Sequence, residues 1–111
     1  MANQAEFRRL VLAHLTVIDE TENPSPEQAS LMDLFIAGSR ARLAELGLCW
    51  WDSDAVPDAV TLPYMRYVAS QACTSFGRGG KGYEAAEAQA RADIAALKSS
   101  EQREEQRAEY F

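Results

Sequence analysis

Few side chains in this 111-residue chain carry the chemistry of a catalyst, so each is weighed first. His14 is the single histidine, the residue type that most readily moves protons near neutral pH. It falls beside the apolar stripe of the first helical segment, with no serine or cysteine nearby in sequence to act as nucleophile. It reads as a surface or core-edge residue. Asp19, Glu20 and Glu22 cluster in a polar stretch, but nothing marks two of them as a matched acid–base pair. Cys49 and Cys73 are the only cysteines; with one histidine they do not close a four-ligand zinc site without a carboxylate. The run GRGGKG at 77–82 suggests a phosphate loop, but its lysine is followed by Gly82 rather than Ser or Thr, and a helix precedes it instead of a strand. It reads as a turn. The residues thus predict no catalytic group, no cofactor site and no metal site.

The elements that position these groups follow from period and punctuation. Asn3 opens a first helix, with Glu6 three residues on in the manner of a capping box. Phe7, Leu10, Val11, Leu15 and Ile18 form its apolar stripe, leaving Arg8 and Arg9 to face outward. DETENPSP is a loop broken by two prolines. Ser25, Pro26 and Gln28 then start a second helix through an S-x-x-Q box with proline in the first turn. Met32, Phe35, Ile36, Ser39, Leu43 and Leu46 share one side of it, widened by Leu31 and Leu34. Gly38 and Ala41 are small enough to admit a close helix, and Gly47 supplies a left-handed stop with Leu48 folding back on Leu43.

The stretch 56–77, VPDAVTLPYMRYVASQACTSFG, is the core helix around which the rest is arranged. Leu62, Met65, Val68, Ala69, Ala72, Cys73 and Phe76 recur at helical spacing. Pro57 and Pro63 belong before or within its first turn, and Gly77 is its stop. The connection before it carries Trp50 and Trp51, two large rings that need burial. Either they lie as a lid over the helix pair, or one faces a neighbouring subunit. An alanine-rich fourth helix runs from Tyr83 to Lys98, with Tyr83, Ala86, Ala90, Ile94 and Leu97 in register. The remainder, SSEQREEQRAEYF, has only Ala108, Tyr110 and Phe111 as apolar residues and no core of its own. It is a disordered tail or an arm whose aromatics dock elsewhere, with Ser99 or Ser100 able to cap a further helix. The predicted fold is all-α: a compact bundle of about four helices over residues 1–98, a Trp-bearing connecting loop, and a C-terminal arm or tail over 99–111.

Composition bounds the partners. A hydrophobic fraction of 47% with 25% charged residues is that of an ordinary globular domain. No apolar run approaches the length of a membrane span, and the N-terminus lacks the order of a signal peptide, which predicts a cytoplasmic chain with reduced thiols. The net charge of −6 argues against gripping duplex DNA. A helix-turn-helix would need a recognition helix presenting cations outward, and the third helix offers only Arg66 beside Tyr67, Ser70 and Gln71.

FRRLVLAHLTVID, the acidic loop into PSPEQASLMDLFIAGSRARLAEL, the tryptophan-bearing connection, and VPDAVTLPYMRYVASQACTSFG before an alanine-rich helix and polar tail follow one another in a telling order. In that order the chain resembles the small head–tail connector (adaptor, head-completion) proteins of tailed bacteriophages and prophages. The resemblance implies a structural, non-enzymatic virion protein. Its subunits would form a homo-oligomeric ring, commonly dodecameric, at the neck between the portal protein and the tail or next connector. The ring would be assembled in the host cytoplasm and would extend the channel, with DNA passing through without sequence-specific binding. The resemblance makes residues 99–111 a portal-docking arm, with Tyr110 and Phe111 as anchors and Arg103 and Arg107 as ion-pair partners. A ring subunit also needs two different complementary faces. Trp50, Trp51, Tyr64, Tyr67 and Tyr83 are of the type that anchors subunit interfaces. The acidic balance would keep a channel from holding its DNA, or it simply supports solubility. The alternative is a small cytoplasmic helical interaction or regulatory module whose tail binds one protein.

Overall fold

The computed structural model describes residues 1–19, 21–79 and 82–110, with side chains described as far as Ser100. It is all-α, with four helices in the order α1 Gln4–His14, α2 Pro26–Glu45, α3 Asp58–Ala72 and α4 Gly82–Tyr110. Among the described residues there is no strand, only isolated bridges such as the one that joins Ala2 to Val56. α3 is the centre: it packs against each of the other three helices, while α1 also packs on α2.

Local chemistry explains the starts. The Asn3 side chain accepts from the Glu6 amide, and the Asp54 carboxylate, reaching in from the tryptophan loop, accepts from the Gln4 amide. Two of the orphan donors of α1 are thereby satisfied. At Ser25 both halves of the capping box form, with Pro26 in the first turn. α3 differs from expectation at its beginning. Pro63 lies buried inside the helix, at its sixth residue, rather than in the first turn.

The ends share one device. In α1, α2 and the turn after α3, a residue of positive φ closes the helix: Thr16 at 59°, Gly47 at 72° and Gly77 at 70°. In each case the following amide bonds back to the carbonyl five residues earlier: Val17 to Leu12, Leu48 to Leu43 and Arg78 to Cys73. Gly47 and Gly77 act as their sequence predicts. Thr16 is unexpected, since a β-branched residue disfavours this region. It ends α1 at His14, short of the predicted Ile18, although Leu15 and Ile18 stay buried. Cations complete two of these ends. Arg78 Nε donates to the Leu15 carbonyl at 3.1 Å, and Lys98 Nζ donates to the Gly47 carbonyl. Both place positive charge at the negative end of a helix.

The core runs through Phe7, Val11, Leu12, Met32, Ile36, Leu43, Val60, Val68, Ala72, Ala90 and Ile94, all buried. Several expected faces rotate. Leu10, Leu34, Leu46 and Leu62 were expected inside and are exposed, while Leu12, Tyr64 and Tyr67 take interior positions. Gly38 and Ala41 face outward, and a Cβ built on Gly38 meets nothing within 4 Å, so no helix approaches there. Arg8 also departs from its predicted outward pose: one guanidinium nitrogen, Nη1, donates to both carboxylate oxygens of Asp33 of α2 at 2.9 and 3.0 Å, half-buried between the helices. α4 is one helix of 29 residues and continues through Ser99 and Ser100 without a break. Ser100 bonds back to the Ala96 carbonyl instead of capping a new helix, and the Glu/Gln/Arg run that follows favours helix. At about 1.5 Å per residue α4 is about 43 Å long, close to the 49 Å long dimension of the molecule.

Candidate functional site

The tryptophan loop closes over the α2–α3 pair and builds an aromatic stack. Phe7 of α1 stacks on Tyr64 of α3 with centroids 4.3 Å apart and planes 13° from parallel. Trp51 meets Tyr64 edge-on at 4.9 Å, and Trp50 meets Trp51 edge-on at 5.0 Å. Arg40 of α2 fixes the loop by donating to the Trp51 carbonyl. Of the residues expected at a subunit interface, Trp51, Tyr64 and Tyr67 are therefore core: 4%, 1% and 1% exposed. Trp50 and Tyr83 are half-buried at the edge of the core. The sequence suggests these aromatics as interface anchors from their residue type alone, which does not tell a core ring from a surface one. Arg103, Arg107, Tyr110 and Phe111 lie outside the described residues as far as their side chains are concerned.

Inside the stack the polar ends are poorly served. Neither the Tyr64 hydroxyl nor the Trp51 indole N–H has a partner at hydrogen-bond geometry. Burial pushes the Tyr64 phenol well above its ordinary value; the Cys49 thiol adds to this, while Arg40 and the nearby Trp51 indole oppose it. Burial also raises Tyr67, reinforced by Glu87 and opposed by Arg91 and Arg42. Cys49 is half-buried and Cys73 buried, both as free thiols. Among the described residues no group of three His, Cys, Asp or Glu side chains is arranged to hold a metal ion. Of the residues that a recognition helix would present, Tyr67 is buried while Arg66 and Gln71 are exposed. No helix among the described residues is long and apolar enough to cross a membrane.

What the surface does offer is two unlike apolar faces. Between α1 and α3 runs an open groove of about 590 Å³, with Leu10, Ala13 and Met65 as apolar lining and Glu6, Arg9 and His14 around it. Leu10 is 43% exposed, and Leu62 on α3 is 49% exposed. At 100° per residue Leu10 stands about 160° round α1 from Arg8, the residue that faces α2, so this groove looks away from α2. The second face is the outer side of α2. Leu34 is 71% exposed and sits half a turn round the helix from buried Leu43. Around it are exposed Ala37, Gly38 and Ala41, with Glu27 and Arg42 toward either end. Neither face was predicted as a site. The signal lay in α2, whose apolar residues outnumber those one buried stripe can use.

No known protein family, curated protein or solved structure matches the chain.

Proposed function

We propose that this chain is a structural subunit of the head–tail connector type, forming a ring between the portal and tail of a bacteriophage particle. The observation that carries the reading is the pair of unlike apolar faces, the α1/α3 groove and the outer side of α2, which look in different directions. A subunit that closes a ring needs two different surfaces that fit one another, one for each neighbour. The continuous α4, Gly82–Tyr110, about 43 Å long, supports a docking role for this segment, since Arg103, Arg107 and Tyr110 fall within a helix rather than a loose tail. The acidic charge of −6 suits a channel that must release DNA.

The alternative, a small helical module that binds one protein partner, needs only one of the two faces. The discriminating experiment is co-sedimentation of the full chain with portal-bearing capsids, beside a chain truncated after Lys98. The connector reading expects retention of the full chain and loss of the truncated one. Full-length protein that stays in the supernatant favours the interaction module.

A further inference from the structure

We infer that Cys49 is a site of oxidation by hydrogen peroxide, and that Tyr64, Trp51 and Arg40 supply the donors that hold the product, a sulfenic acid. The inference stands apart from the connector reading. Cys49 lines a hollow of about 440 Å³ between the start of α1, the α2 helix and the tryptophan loop, together with Gln4, Ile36, Arg40, Ala44 and Ser53. A peroxide is little larger than a water and fits this volume easily. Cys73, by contrast, is 5% exposed, sits 3.4 Å from the Ser70 carbonyl, and lines neither described hollow. Access selects the half-buried Cys49.

The surroundings of Cys49 hold unused donors. Its Sγ donates to the Trp51 carbonyl at 3.7 Å, and Arg40 donates to the same oxygen, so thiol and guanidinium share a neighbouring atom. Among the described residues Arg40 has no carboxylate partner. Asp33 is engaged by Arg8 and Asp54 by the Gln4 amide, and the Arg40 Nε is buried without a bond. The Tyr64 hydroxyl and the Trp51 indole N–H are also unbonded, on side chains only 1% and 4% exposed. The Tyr64 phenol feels both the Cys49 thiol and Arg40, with the Trp51 indole beside it. These donors therefore gather where the thiol lies. Thiol sulfur is a weak acceptor. An oxygen on that sulfur is a strong one.

In the reaction the Cys49 thiolate attacks one oxygen of hydrogen peroxide. The S–O bond forms as the O–O bond breaks; sulfur is oxidised, the peroxide is reduced, and the departing hydroxide leaves as water with the thiol's proton. The new oxygen accepts from the Tyr64 hydroxyl, and Arg40 offsets the charge of its ionised form.

The first test treats the full-length protein with hydrogen peroxide and then with dimedone, which adds to sulfenic acids. Peptide masses should place the adduct on Cys49 and not on Cys73, and Cys49→Ser should carry none. No adduct at Cys49, or equal labelling of Cys73, overturns the site. The second test compares oxidised and reduced protein by urea titration without dimedone, in a Cys73→Ala background so that unfolding offers the sulfenic acid no thiol. Circular dichroism checks that each variant keeps its helices. Oxidation should raise the folding equilibrium constant about tenfold, the worth of one added hydrogen bond to a charged group. The gain should fall below about threefold in Tyr64→Phe and vanish in Cys49→Ser. Oxidation that weakens the fold, or a Tyr64→Phe variant that gains as much, overturns the proposed hold on the product.

Discussion

Replacing Tyr64 by phenylalanine should stabilise the protein. The ring of Tyr64 is held by Phe7 and Trp51, and neither contact involves the hydroxyl. That hydroxyl is buried with no partner at hydrogen-bond geometry, the Trp51 indole lying close enough to act on its charge but not aligned to bond it, a state that costs about 1–3 kcal/mol when water is excluded. Removing the oxygen leaves a gap smaller than a methyl group, with a packing loss of about 0.5 kcal/mol. The net gain is about 1 kcal/mol, or roughly 4 °C in melting temperature for a domain of this size. Urea titration at pH 7 should show a raised midpoint with an unchanged slope. The pH dependence gives an independent check. The folded-state pKa of Tyr64 is raised above the ordinary 10. Above about pH 10 the unfolded chain therefore loses this proton while the folded chain keeps it, and stability falls with rising pH by up to about 1.4 kcal/mol per unit. In Tyr64→Phe that part of the alkaline loss should vanish. A variant destabilised by more than about 0.5 kcal/mol would mean that the hydroxyl is bonded, for instance through a buried water shared with Trp51, and would refute the reasoning.

Other substitutions test the frame around the stack. Thr16→Gly relieves a β-branched residue at φ 59° while Arg78 keeps its bond to the Leu15 carbonyl, and thermal melts should show a gain of about 0.5–1 kcal/mol. Asp33→Asn weakens the half-buried ion pair with Arg8 that ties α1 to α2, at a cost of about 1–2 kcal/mol by urea titration, with little relief from added salt. Ile94→Ala opens a cavity where α4 meets the core and should cost about 2–5 kcal/mol in the same assay.

The sequence was most legible where a boundary depends on a single residue's chemistry. Ser25 with Gln28, Gly47 with Leu48, and Gly77 behave as their types require, because capping and left-handed closure are decided within five or six residues. The all-α class and the central place of α3 followed from helical period. Facing was less legible. Tyr64 and Tyr67 lie inside because three helices surround α3, and no local pattern tells how many neighbours a helix will have. Leu10 and Leu62 lie outside for the complementary reason: the stripes of α1 and α3 are wider than their shared contact, and on α1 the excess lines the groove. Arg8 turns inward only because Asp33, 25 residues away, is brought opposite it. Thr16 gave no signal at all, since its type argues against the conformation that the packing of Arg78 and the α1 terminus imposes.

The central claim is that this subunit acts by assembling with copies of itself on a portal. Its most direct test is the mass of the full-length chain, measured by analytical ultracentrifugation over a wide concentration range, alone and with purified portal rings. The connector account predicts an added mass of about a dozen chains on the portal ring. A chain that sediments as a monomer both alone and beside the portal contradicts it.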